Sequence, residues 1–135
     1  MSSGEGTRIV IVGGSFGGIS TAYALRRRLR KRAQITVISR DEDFVFLPSL
    51  PWVILGWRDP RRLRVPLAGP LGRRGIRFVH EEVQELDPSR DEVRTASGRH
   101  PYDFLVIASG ADLALPSDYP PATATVRSGQ AGSQT

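Results

Sequence analysis

The sequence predicts an α/β fold, a parallel sheet with a small antiparallel hairpin, and three observations carry that reading. An apolar β-branched run, Ile9 to Val12, stops at a glycine cluster, Gly13-Gly-Ser-Phe-Gly-Gly18. A helix-patterned segment follows, with Ile19, Ala22, Leu25 and Leu29 at spacings of three, three and four on one face. A further run, Gln34 to Ile38, is again rich in β-branched residues. Strand, turn, helix and strand occupy Arg8 to Ser39, close to the roughly 30 residues of a β-α-β unit.

The elements follow in order. Residues 1–6 read as a flexible lead-in, and residues 7–115 as the folded segment. Arg40 to Asp43 is a charged turn after the second strand. Phe44 to Trp57 is an apolar segment interrupted by Pro48 and Pro51, and Arg58 to Gly75 is an arginine- and glycine-rich connection with short helical potential. Ile76 to His80 reads as a third strand. Glu82 to Asp87 and Glu92 to Thr95, joined at Pro88-Ser-Arg-Asp91, read as a hairpin, and Ser97-Gly98 turns the chain again. Tyr102 to Ala108 is an apolar, buried strand ending at Ser109-Gly110. From Pro116 to Thr135 the composition turns to Pro, Ser, Ala, Thr, Gly and Gln, which predicts a disordered tail. Three strands count toward the parallel layer beside the hairpin, short of the roughly six of a doubly wound domain. The fold is therefore a partial Rossmann-like sheet. Its unpaired edge and partly uncovered face predict marginal stability or aggregation.

Composition narrows the chemistry. At 135 residues the chain is one domain at most. It has no cysteine, so disulfides, thiolate metal sites and thiol nucleophiles are excluded within these residues. His80 and His100 are too far apart in sequence to suggest a metal site. The longest apolar-rich stretch, Phe44 to Trp57, holds 14 residues, short of the roughly 20 that a spanning helix needs. No leader-like segment is seen at residues 1–7, and the expected location is the cytoplasm or the periphery of the cytoplasmic membrane. The formal net charge of +5 is carried by arginine: 18 of the 19 basic residues are Arg. A nucleic acid or an anionic membrane surface would suit such charge. Without interleaved aromatics or a binding module, nucleic acid is the weaker reading. The cluster Arg26 to Arg32 sits at the end of the first helix, where cations complement the dipole.

The glycine cluster carries the functional signal. A helix N-terminus presents free backbone N–H groups and partial positive charge, which suits a dinucleotide pyrophosphate. Read against G-x-G-x-x-G, the slots fall on Gly13, Ser15 and Gly18. Gly13 permits the tight turn and Gly18 a close helix–strand approach. Ser15 stands where the middle glycine would be, small enough to be tolerated.

At this point the residues resemble a known family. Ile35-Thr-Val-Ile-Ser-Arg40, followed by Phe46-x-Pro-Ser-x-x-Trp-Val-x-x-Gly-Trp57, resembles the N-terminal region of sulfide:quinone oxidoreductases. These belong to the two-dinucleotide-binding-domain flavoproteins of the pyridine nucleotide-disulfide oxidoreductase superfamily, beside the type II NADH dehydrogenases. Tyr102 to Gly110 is similar to the strand and Ala-Thr-Gly turn that close the superfamily's first FAD-binding segment, with Ser109 in place of threonine.

The resemblance implies FAD as cofactor. It implies that Gly13, Gly14, Ser15, Phe16, Gly17 and Gly18 cradle the pyrophosphate, and that Ser39 and Arg40 meet the adenosine ribose. Glu82 and Val83 would lie against adenine, Ala108, Ser109 and Gly110 near the pyrophosphate, and Pro48 near the flavin ring. A strand-ending serine and a loop-shaping proline are the plainer readings of Ser39 and Pro48. Trp52 and Trp57 are expected in the core, with a quinone-side surface as the alternative.

Intact relatives pass electrons from sulfide through FAD to quinone and seat peripherally on the cytoplasmic membrane. This sequence lacks the family's cysteines. Its match to the family stops near Leu115, which reads as a truncated or split enzyme not competent alone. Two alternatives stand beside it: a type II NADH:quinone dehydrogenase-like flavoprotein, and a non-catalytic dinucleotide-binding module that pairs with a complementary chain.

Overall fold

A computed structural model describes residues 6–111. The expected lead-in before Gly6, residues 112–115 of the folded segment, and the expected tail lie outside the described residues. The chain opens with strand β1, Thr7–Val12, and helix α1, Phe16–Leu29. A 3-10 turn, Arg30–Arg32, leads into β2, Ala33–Ser39. Then come β3, Asp43–Val45, helix α2, Leu50–Ile54, β4, Arg64–Pro66, helix α3, Ala68–Arg73, and β5, Arg77–His80. Strands β6, Glu85–Asp87, β7, Glu92–Thr95, and β8, Gly98–Pro101, precede β9, Phe104–Ile107.

The central sheet is parallel, with order β5-β2-β1-β9. It has four strands, one more than the three counted from the sequence, because the strand after the hairpin joins the same layer beside β1. The crossover through α1 covers one face. Ile9, Ile11, Ile35 and Val37 pack there with Ala22, Leu67, Leu71 and Ile76. Val10, Val12 and Ile38 pack on the other face with Val93 and Tyr102 of the antiparallel excursion. This two-faced burial explains why β1 and β2 read as continuous apolar runs rather than alternating ones.

Several expectations need correction. Helix α1 begins at Phe16, not Ile19, because the extended Ser15 caps it and the small Gly17 and Gly18 accept helical geometry at its first turn. The hairpin is a three-stranded meander, β6-β7-β8, starting at Glu85 rather than Glu82. Gly98 and Pro101 had disguised its last strand. The Arg58 to Gly75 connection holds the expected short helix as α3, but also a strand the sequence did not show, β4, which pairs with β3 in a two-stranded ribbon. Last, β9 is not buried: Phe104 is 63% and Ile107 62% exposed at the sheet edge. The two tryptophans are not core either, Trp52 being 40% and Trp57 72% exposed, with the Arg58 guanidinium 5.0 Å from the Trp52 ring centre.

Candidate functional site

Strand order reverses at β1. From there α1 leads to β2 on one side, while β9 returns on the other. The C-terminal ends of β1 and β9 adjoin there at the switch in order, the place where open α/β sheets take ligands. A cleft of about 340 Å³ lies there, lined by Gly13, Gly14 and Ser15, by Ser39 and Arg40, by Glu82 and Val83, and by Ala108, Ser109 and Gly110. Phe16, Gly17 and Gly18 stand beside it on the first turn of α1, and Pro48 lies outside the lining, next to its neighbour Leu47.

Local sterics explain the glycines. Gly13 has φ +112°, and a Cβ there would fall 2.1 Å from the Ala108 carbonyl oxygen. Its N–H donates to the Ile38 carbonyl at 2.8 Å, while the Ala108 N–H donates to the Val12 carbonyl at 2.8 Å. The turn is thus pinned between its two neighbouring strands. At Gly14 a Cβ would lie 2.7 Å from Ser39 Oγ and 2.8 Å from Leu67 Cδ1. Ser15 is extended and its side chain makes no capping bond, and the first turn of α1 has no acidic residue. The leading amides, which have no partner within a helix, therefore open onto the cleft at its positive end.

Ser39 is buried, 6% exposed, and its Oγ accepts the Asp41 N–H at 3.2 Å. Arg40 lies 3.8 Å from the Asp41 carboxylate, and its carbonyl is 3.0 Å from His80 Nε2. The wall away from the helix start is acidic, made by Asp41, Asp43, Glu81 and Glu82. Three of these, Asp41, Asp43 and Glu81, were missed in the sequence, as were Val45, Leu47 and Ala111. The run of carboxylates just after Ser39 was their available signal, since acidic side chains near that point hold ribose hydroxyls in dinucleotide folds. Hydrogen bonding by the Thr95 and Ser97 hydroxyls holds the Glu81 carboxyl below the usual carboxylate range. Ser97 donates through its hydroxyl at 2.9 Å and its N–H at 3.2 Å. Cleft polarity is therefore split, with amide donors at the turn and carboxylate acceptors across from them.

Residues 7–131 match the profile of the pyridine nucleotide-disulphide oxidoreductase family. The chain belongs to that family. The family is FAD-dependent, as the resemblance implied. The chain is 42% identical over 106 residues to the sulfide-quinone reductase of Aquifex aeolicus, covering 78% of this chain and 24% of that protein. It is 31% identical over 116 residues to an NADH dehydrogenase-like protein of Mycobacterium tuberculosis, covering 82% and 28%. The X-ray structure of the Aquifex aeolicus sulfide:quinone oxidoreductase superposes with a TM-score of 0.74 at 41% identity, over 80% of this chain and 25% of that one. A water-forming NADH oxidase from Lactobacillus brevis reaches the same TM-score at 20% identity and shares the fold. The chain spans about a quarter of the length of the curated relatives it matches. Among the described residues no helix is long and apolar enough to cross a membrane.

Proposed function

We propose that residues 7–115 form the ADP-binding part of an FAD site in a flavin-dependent oxidoreductase of the sulfide:quinone oxidoreductase type. The observation that supports this most is the crevice at the strand-order reversal, with a side-chain-free turn and the amide end of α1 on one wall. In this reading Gly13, Gly14, Ser15, Phe16, Gly17 and Gly18 hold the diphosphate bridge through backbone amides. Ser39, Arg40 and the neighbouring Asp41 take the ribose, Glu82 and Val83 flank adenine, and Ala108 to Gly110 close the diphosphate side. Pro48 stands toward the isoalloxazine. A cleft of about 340 Å³ is at the lower end of the ligand-pocket range of roughly 300–1,000 Å³, which suits the ADP half better than the whole dinucleotide. Bound flavin supplies the redox chemistry.

Sulfide oxidation with quinone as acceptor belongs to this proposal, as does peripheral seating at the cytoplasmic membrane. A thiolate nucleophile for sulfur chemistry is not among these 135 residues. That favours, as a second reading, a module that binds the nucleotide without turning over. Calorimetric titration with ADP and visible spectra with added FAD test the site. Binding of ADP at micromolar concentration with weak or no flavin retention supports the module, and a yellow, stoichiometric complex supports the flavoprotein segment. Failure of both ligands to bind overturns the site.

A further inference from the structure

At the opposite end of the sheet lies a second concavity with the reverse electrostatics. Arg26, Arg30 and Lys31 approach it from the end of α1, and Arg73, Arg74 and Arg77 from α3 and the start of β5. Gln34 and Thr36 form part of its polar floor, its volume is about 760 Å³, and no carboxylate lines it. Several arginines elsewhere stand beside acids: Arg8 is 3.0 Å from Asp103, Arg61 is 3.2 Å from Asp59, and Arg94 is 2.8 Å from Glu85. Among the described residues none of the six groove cations forms an ion pair.

Helix ends account for part of this. Arg26 donates to the carbonyls of Arg30, Ala33 at 2.9 Å and Gly75 at 2.7 Å, so it ties the end of α1 to the loop after α3. Its Nε is buried without a hydrogen-bond partner. Dipole compensation reaches only the last turn of a helix; Arg73 and the C-cap Arg74 close α3, whereas Arg77 lies on β5 and gains nothing from it. Bringing six like charges together from three elements opposes folding unless a counter-charge is drawn in.

We infer that this groove binds a compact polyanion carrying several phosphate groups, at a site separate from the nucleotide cleft. Its concave shape suits a small ligand over a flat lipid surface. The absence of an aromatic lining residue removes the stacking platform that single-stranded nucleic acids use.

Inorganic tripolyphosphate is the probe, titrated into the full chain by calorimetry at low ionic strength. With the nucleotide cleft saturated by ADP, one-to-one binding is expected, weakened on the order of tenfold by the pair Arg74→Glu and Arg77→Glu. Both side chains are exposed, so circular dichroism should stay unchanged. The milder pair Lys31→Gln and Arg73→Gln should lower affinity in the same direction. Ser15→Glu, at the helix start, should leave the binding intact. Three results overturn the inference: no binding at low salt, parent-like binding by both variant pairs, or loss of binding in Ser15→Glu. Tighter binding of an oligonucleotide or of anionic vesicles than of tripolyphosphate also overturns it, by assigning the groove to a macromolecular surface.

Discussion

The Gly13 carbonyl oxygen lies only 1.8 Å from the point where a Cβ on Gly18 would stand. The turn that leaves β1 and the helix that follows are in backbone contact, and that contact sets how near the α1 amides come to the cleft. Gly18→Ala must push the helix away or break the turn. It is expected to destabilise the chain by about 1–3 kcal/mol, the usual range for overpacking. Gly17 is the internal control, because its Cβ would meet Ala108 Cβ at 3.6 Å, an ordinary contact. Urea denaturation should show Gly17→Ala near or above the parent midpoint and Gly18→Ala well below it. Equal midpoints would refute the contact.

Ser15 caps α1 without a side-chain bond, so its side chain can be changed at little structural cost. An acid there favours the helix electrostatically while repelling a diphosphate. Ser15→Glu should lower ADP affinity at least about tenfold and leave the melting temperature unchanged or raised. Ser15→Gly, which restores the full glycine pattern, should bind ADP within about twofold of the parent. If Ser15→Glu binds ADP as the parent does, the anion does not sit at this helix end.

What the sequence disclosed follows the range of the forces involved. The Gly18 slot was legible because its cause is local, the Gly13 carbonyl five residues back, whereas Gly13 and Gly14 are held by the distant Ala108, Ser39 and Leu67 and were legible only through the motif. Burial on both faces made β1 and β2 legible as apolar runs. Asp41 and Asp43 were not, because they reach the cleft only when Phe44 pairs with Val65 across the β3–β4 ribbon, 21 residues on. Strand β8 was hidden by Gly98 and Pro101, poor strand formers that a three-stranded meander tolerates once Val93 is fixed opposite His100. Trp52 and Trp57 were expected inside on hydrophobicity alone, but short α2 leaves both on the surface.

His100 is 7% exposed, with Nε2 3.0 Å from Thr95 Oγ1. Burial, and then the Arg77 charge, lower its pKa below the usual 6.5, against a smaller opposing pull from Glu81. The folded chain therefore resists protonation at His100. Below 6.5 the unfolded chain binds the extra proton first, so stability falls as pH drops through that value toward the lower folded one. The carboxyls of Asp59, Glu81, Asp87 and Asp103 are also lowered and act with the same sign, but in a more acidic window. Urea midpoints at about pH 7.5 and about pH 5.5 should differ for the parent and converge in His100→Gln. A pH dependence that survives the substitution would remove His100 as its source.

Strand β9 pairs with β1 on one side, and among the described residues nothing pairs with its other side. Asp103, just before it, anchors the strand by accepting the Arg8 N–H at 2.7 Å and the guanidinium at 3.0 Å. The edge is thus held flat and presents Phe104 and Ile107 to solvent, a template for another chain. Phe104→Lys places a charge on the edge without touching the core, so the unfolding free energy should change by no more than about 0.5 kcal/mol. Light scattering on warming should fall, and reversibility should improve. If scattering is unchanged, association runs through another surface, and the exposed Ile54 at the end of α2 and Trp57 beyond it become the face to charge next.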